Sequence, residues 1–200
     1  MSAVENAVAA IHAGEPVVLP FDTVYGLASA ASEEPVRRLY RLKGRAQRQP
    51  TALVVRDIDY LLECIPELHD AEPQARALLP GPYTLIFPNP ARRFPWLTGQ
   101  NENAIGIRVP ALTGAGGEVL ATVGALAATS ANLPGGPDPA TLAAVPEDIR
   151  AGAGAVVDAG PLPGTPSTVL DLTGDEPRVL REGVNAAEAL RRLSSAVRSS

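Results

Sequence analysis

The sequence predicts a single α/β domain whose strands form a largely continuous twisted sheet. Three observations carry that prediction. Short apolar runs such as Val17-Val18-Leu19 and Thr51-Ala52-Leu53-Val54-Val55 are too brief for helices and lack a helical period. Amphipathic stretches with helical spacing alternate with them, which is the pattern of layered α/β domains. No repeat, low-complexity tract or long linker interrupts the 200 residues, a length that one buried core can serve.

Taken in order, Ser2-Ala3-Val4-Glu5 has the spacing of a capping box, and Gly14 stands where a left-handed stop would end a helix over residues 4–13. The strand at 17–19 ends at Pro20, which cannot donate to a sheet ladder. The stretch Pro20-Phe21-Asp22-Thr23-Val24-Tyr25-Gly26-Leu27 then reads as a polar, glycine-terminated loop, at the strand end where open α/β sheets hold ligands. Ser32 is placed to cap a second helix with Pro35 in its first turn. Val36, Leu39, Tyr40 and Lys43 keep helical spacing, and Gly44 can end the helix.

After the strand at 51–55, two short helices are expected around 58–64 and 73–79. Pro80-Gly81-Pro82 breaks the chain into a strand at 83–87 closed by Pro88. Residues 91–103 read as a surface excursion with Trp96 folded back onto the body. Strands follow at 105–110 and 126–129, with a helix at 118–123 between them. Beyond a glycine- and proline-rich turn region at 134–139 come a helix at 146–150 and strands at 155–158, 167–172 and 178–181. A final amphipathic helix covers 186–197.

Composition excludes several classes of function. A net charge of −5 argues against a surface built to grip phosphate backbones, although it is compatible with a local basic pocket. Aromatic residues make up only 4%, so no broad base-stacking platform is present. Cys64 is the single cysteine, which rules out an internal disulfide and a thiolate metal cluster, and its apolar helical setting suits a buried, inert thiol. His12 and His69 are isolated, so no protein-held metal is expected. The amino terminus carries Glu5 and no basic cluster, unlike a secretory signal. No apolar stretch approaches membrane-spanning length, so no membrane association and a cytoplasmic location are expected.

The residues able to carry chemistry sit near the ends of predicted strands and helices. Lys43-Gly44-Arg45-Ala46-Gln47-Arg48 is the densest basic cluster; it could hold a polyphosphate or simply compensate the negative end of its helix. Arg108, in an otherwise apolar strand, either faces solvent or binds an anion, and a carboxylate would suit its guanidinium fork. Thr129-Ser130-Ala131-Asn132 offers hydroxyls and an amide, or a plain turn. Ser167 and Arg181 lie in stretches that could equally be an ordinary strand and its exit. There is no P-loop, no nucleophile elbow and no paired carboxylates. What recurs is hydroxyls and cations, equipment for positioning anions and neutralising charge rather than for covalent attack.

Five stretches, in order, resemble the YrdC (TsaC) family of threonylcarbamoyl-AMP synthases: PFDTVYGLA at 20–28, KGRAQRQP at 43–50, PGPYTLIFP at 80–88, IGIRVP at 105–110 and TSANLPGGP at 129–137. STVLDLTG at 167–174 and VLREG at 179–183 extend the resemblance over nearly the whole chain. It implies one YrdC-like domain over residues 1–200: a twisted, open, mixed sheet with flanking helices and a deep, basic concave cavity. It also implies that L-threonine, bicarbonate and ATP give threonylcarbamoyl-AMP and pyrophosphate, with Mg2+ carried on the ATP phosphates. A separate transferase complex would then modify adenosine 37 of ANN-reading tRNAs.

By motif position the resemblance assigns Thr23, Tyr25, Arg108 and Ser167 to threonine, with Arg108 on its carboxylate and Tyr25 as a wall of the pocket. It assigns Lys43, Arg45, Ser130, Asn132 and Arg181 to ATP, with Asn132 supporting the loop around Ser130. Lys43 and Arg45 would be catalytic, offsetting charge as the carbamate attacks the α-phosphate. The chain departs from the family pattern at five places. Phe21 and Val54 stand where threonine and histidine are frequent, Gln49 where asparagine is usual, and Ala104 and Asp138 where threonine and serine often touch ATP. These departures leave room for a YciO-type paralogue with another substrate. Hydrogenase-maturation carbamoyltransferases share the fold but carry acylphosphatase-like and zinc-finger regions, for which this chain lacks the length and the cysteines. A double-stranded RNA-binding module without catalysis, or weak RNA contact beside catalysis, is a further alternative, and the acidic net charge speaks against it.

Overall fold

A computed structural model describes residues 1–46 and 48–197, with the backbone alone at Val197. Gln47, within the basic cluster read above, lies outside the described residues. The strands are β1 (Val17–Pro20), β2 (Tyr25–Ala30), β3 (Ala52–Val55), β4 (Tyr83–Pro88), β5 (Ala104–Arg108), β6 (Ala125–Ser130), β7 (Ala155–Val156), β8 (Thr168–Asp171) and β9 (Arg178–Arg181). The α-helices are α1 (Ala3–His12), α2 (Glu33–Lys43), α3 (Ile58–Cys64), α4 (Glu72–Leu78), α5 (Gly114–Val123), α6 (Glu147–Gly152) and α7 (Ala186–Val197). One mixed sheet runs β7-β1-β2-β6-β3-β5-β4-β8-β9. The α/β class with one open mixed sheet and flanking helices is therefore as the sequence predicts.

Local signals explain most element ends. Ser2 and Glu5 form a reciprocal capping box on α1. Gly44, at φ 64°, closes α2 in the left-handed conformation that glycine reaches without steric cost. Trp96 folds back as expected, its indole N–H donating to the carbonyl of Ala31 at 2.9 Å.

The principal difference from expectation is β2. The chain after Asp22 is not a loop leading directly to a helix: Tyr25–Ala30 turns back antiparallel on β1, with Val17 opposite Ala28 and Pro20 opposite Tyr25. The ligand-bearing loop thus shrinks to a hairpin tip at residues 21–24. Gly26, Ala28, Ser29 and Ala30 carry little strand propensity of their own, and β2 forms because it is buried between β1 and β6. Two smaller differences are α5, which starts at Gly114 ahead of its expected range, and β7, which is only two residues long.

Alternation along the strands gives the sheet two unlike faces. On one, Leu27, Leu53, Val55, Leu85, Phe87, Ile105 and Ile107 form the main core with residues of α2, α3, α4, α6 and α7. On the other, Gly26, Ala52, Val54, Ala104, Gly106 and Ala128 present short side chains. Helices α1 and α5 cover only the β1, β2 and β6 end of that second face, through Ala7, Ile11, Val119 and Leu120. The uncovered remainder is a hollow, floored by the small residues. No helix among the described residues is long and apolar enough to cross a membrane.

Candidate active site

The hollow is a cavity of about 400 Å³. Its polar lining includes Thr23, Arg45, Arg108, Ser130, Ser167 and Arg181, drawn from six separate stretches of sequence. Two carboxylates, Asp138 and Asp171, also line it, so the lining is mixed in charge rather than uniformly basic.

Arg108 ends β5 beside Val54, its register partner on β3. Its Nη2 donates to the Asp22 carboxylate and, at 2.8 Å, to the Thr23 hydroxyl. The Arg108 and Asp22 side chains are only 12% and 10% exposed. Burial pulls the pKa of Arg108 down, while Asp22 opposes the shift. Arg108 Nε is buried without a hydrogen-bond partner among the described residues, a costly condition. The Phe21 ring lies 5.7 Å from the guanidinium carbon. It fits there because Gly26 lacks a Cβ, which would fall 2.4 Å from Phe21 Cε2.

Arg45 is spread over three acceptors. Nη1 reaches the Thr129 hydroxyl at 2.8 Å, Nη2 the Pro50 carbonyl at 2.6 Å, and Nε the Gln49 side chain at 3.0 Å. Gln49, one of the departures, thereby orients this cation without lining the cavity itself. Arg181 folds onto Ser167, with Nη2 donating to its carbonyl at 2.8 Å and to its hydroxyl at 3.0 Å. The Ser167 hydroxyl is also 3.0 Å from that of Thr84. A Cβ at Gly183 would lie 2.2 Å from the Pro166 carbonyl, so this close approach of chains needs glycine.

Lys43 does not wave in solvent at the end of α2. It is 5% exposed, and its Nζ donates to the Ser130 carbonyl and, at 2.8 Å, to Asn132 Oδ1. The Ser130 hydroxyl shares that amide oxygen at 2.7 Å, and Asn132 Nδ2 closes the loop on the Gly136 carbonyl at 2.6 Å. Burial first, then the neighbouring Arg45, pulls Lys43 down to about 8, with Asp138 opposing. Lys43 and Asn132 stand behind the cavity wall and hold Ser130 in it.

Tyr25 is the site residue that the structure places elsewhere. Its side chain is fully buried in the main core on the opposite face of the sheet, two positions from Thr23 and out of the cavity. Alternation explains this, since Gly26 takes the cavity-facing pleat of β2. The Tyr25 hydroxyl is bound instead to residues 158–160. Cys64 is half-buried rather than buried, and its desolvation pushes the thiol pKa up. No cluster of three or more histidine, cysteine or carboxylate side chains suited to a metal ion occurs among the described residues.

Sequence reading missed Asp22 as the partner of Arg108, Thr129 as the seat of Arg45 and Thr84 beside Ser167. Asp22 and Arg108 are 86 residues apart, so only the fold pairs them. The one sequence signal was that Asp22 adjoins Thr23, itself a polar candidate, in the same stretch.

Comparison with known proteins places this architecture. The Sua5/YciO/YrdC family profile, described as "Telomere recombination", matches residues 9–183. A Mycobacterium tuberculosis relative is 35% identical over 92% of this chain and 86% of its own length. The threonylcarbamoyl-AMP synthase of Bacillus subtilis is 34% identical, covering 90% of this chain, which spans 53% of that protein. The crystal structure of Pyrococcus abyssi Sua5 complexed with L-threonine superimposes with a TM-score of 0.82 at 32% identity, over 95% of this chain and 56% of that one. This chain therefore spans a little over half the length of those last two proteins. Escherichia coli YciO matches with a TM-score of 0.77 at 26% identity, over 94% and 92% of the two chains. This chain belongs to the Sua5/YciO/YrdC family.

Proposed function

We propose that this protein condenses L-threonine, bicarbonate and ATP into threonylcarbamoyl-AMP with release of pyrophosphate, supplying a separate transferase complex that modifies tRNA. The observation that carries the reading is the convergence of Thr23, Arg45, Arg108, Ser130, Ser167 and Arg181 on one cavity. In this reading the Arg108 guanidinium pairs with the threonine carboxylate, while Thr23 and Ser167 orient the amino acid. Arg45, Ser130 and Arg181 meet the nucleotide and its phosphates, and Mg2+ arrives as part of the nucleotide substrate.

The amine of threonine attacks the bicarbonate carbon, giving a carbamate with loss of water. A carbamate oxygen then attacks the α-phosphorus, and the bond to the β-phosphate oxygen breaks as pyrophosphate leaves. Arg45 offsets the developing charge directly. Lys43, behind Ser130, adds its charge through the low-dielectric wall and fixes the loop that carries the Ser130 hydroxyl. The chemistry is positioning and electrostatics; no side chain forms a covalent intermediate.

A second reading, a YciO-type paralogue with another substrate, is favoured by one observation: four of the five departures, Phe21, Val54, Ala104 and Asp138, line the cavity. One experiment separates the two. Pyrophosphate release is measured from ATP and bicarbonate with L-threonine, serine, glycine or carbamoyl phosphate. Threonine-dependent release supports the synthase. Release with another amino acid supports the paralogue, and release driven by carbamoyl phosphate overturns both.

A further inference from the structure

The segment joining β7 to β8 runs between distant parts of the sheet, from beside β1 to beside β4. Residues 158–166 of this strap lead to the cavity and deliver Pro166 and Ser167 into its lining. Along the way Leu162 N–H donates to the Ala140 carbonyl and Gly164 N–H donates to the Thr23 carbonyl, at 2.8 and 2.9 Å. The strap therefore touches two of the polar residues that line the cavity near Arg108, Thr23 by a hydrogen bond and Ser167 by the chain itself.

At its start the strap is tied to one buried group. The Tyr25 hydroxyl lies 2.7 Å from Asp158 Oδ1 and 2.8 Å from the Gly160 carbonyl, either of which can take its proton, and it accepts the Ala159 N–H at 2.9 Å. Asp158 Oδ1 also accepts the Gly160 N–H at 2.9 Å, closing a compact turn around the phenol. Burial pushes the Tyr25 pKa above its usual value, so the phenol remains a donor across the working range. The backbone of Tyr25 ties down two more loops: its N–H donates to the Pro139 carbonyl and its carbonyl accepts the Ala131 N–H, at 2.8 and 2.9 Å.

We infer that Tyr25 is a positioning residue: its phenol, from the far face of the sheet, holds the 158–166 strap in the arrangement that presents Thr23 and Ser167 to the amino-acid substrate. The inference rests on the synthase reading for the identity of that substrate and on geometry for the rest. Removing only the phenol oxygen spares the backbone bonds to residues 131 and 139, which brace the Ser130 side of the cavity. The effect should therefore fall on the amino acid and not on ATP.

The test compares Tyr25→Phe with wild type in steady-state kinetics and in hydrogen exchange of the 158–167 peptide. A lost buried hydrogen bond translates into a KM for threonine raised roughly three- to tenfold. The KM for ATP and kcat should stay within about twofold, and the strap should exchange faster. Asp158→Ala, which alters the exposed side of the same contact, should reproduce the split without touching the core. Unchanged threonine KM with a protected strap, or equal losses in all parameters accompanying a lowered Tm, would overturn the inference. Wild-type protein that releases no pyrophosphate with threonine would instead overturn the synthase reading, and the exchange measurement would still decide whether Tyr25 holds the strap.

Discussion

Arg108→Ala perturbs stability and binding together, and the structure says how to separate them. The substitution leaves the Asp22 carboxylate, 10% exposed, with the Ala111 N–H at 3.2 Å as its remaining hydrogen-bond donor. Removing one partner of a buried ion pair costs about 3–5 kcal/mol. Asp22 keeps that N–H and a small exposed fraction, so the lower end, about 3 kcal/mol, is expected. For a domain of this size that corresponds to a Tm lower by roughly 10 °C. Adding Asp22→Asn removes the uncompensated charge and should recover about half of the loss, while threonine binding stays absent in both variants. Urea unfolding of the four proteins in the cycle gives the coupling, and calorimetry gives the binding. Additive stability effects would refute the buried pair. Threonine binding that survives Arg108→Ala would refute the carboxylate assignment.

Three further outcomes are expected. Lys43, at about 8 in the folded protein against an ordinary 10.5, binds fewer protons folded than unfolded between those values. Stability should therefore rise with pH across that window, with a slope of at most about 1.4 kcal/mol per pH unit. Activity should fall with an apparent pKa near 8 as the ammonium that holds Ser130 and Asn132 is lost; Lys43→Met should flatten both profiles. Gly26→Ala places a methyl 2.4 Å from the Phe21 ring, and thermal unfolding should show a loss of roughly 1–3 kcal/mol that Phe21→Ala largely relieves. Gly183→Ala drives a Cβ to 2.2 Å from the Pro166 carbonyl and should weaken both threonine and ATP binding, read by calorimetry with each ligand, because it displaces Ser167 and Arg181 together.

How much of this was legible in the sequence depends on the range of the interaction involved. Helix α2 was readable because its spacing, Pro35 and Gly44 are local signals, and α3 has the bounds that its periodicity implied. Strand β2 was not readable: Gly26, Ala28, Ser29 and Ala30 have no strand preference of their own, and only β1 and β6 on either side make them one. The small residues that hollow the sheet were visible as alanines and glycines alternating with large apolar residues in AIGIRV and TALVV. Their meaning depended on the strand order, which no local pattern carries. The polar candidates were found stretch by stretch, and only the resemblance to the YrdC family implied that they converge. Lys43 read as a surface cation or a phosphate ligand, yet the αL turn at Gly44 and the β6 exit bury it against Asn132. Tyr25 was misplaced because reading residues 20–27 as one loop ignored the period-two alternation that sends Tyr25 and Gly26 to opposite faces.

The most direct test of the central claim is the fate of labelled bicarbonate. Protein, ATP, Mg2+ and L-threonine are incubated with carbon-labelled bicarbonate, and the adenylate products are resolved by mass spectrometry. The account predicts label in a threonylcarbamoyl adenylate, formed one for one with pyrophosphate and abolished by Arg45→Ala and by Arg108→Ala. Pyrophosphate release without label in the adenylate, or a labelled adenylate that contains no threonine, would contradict it.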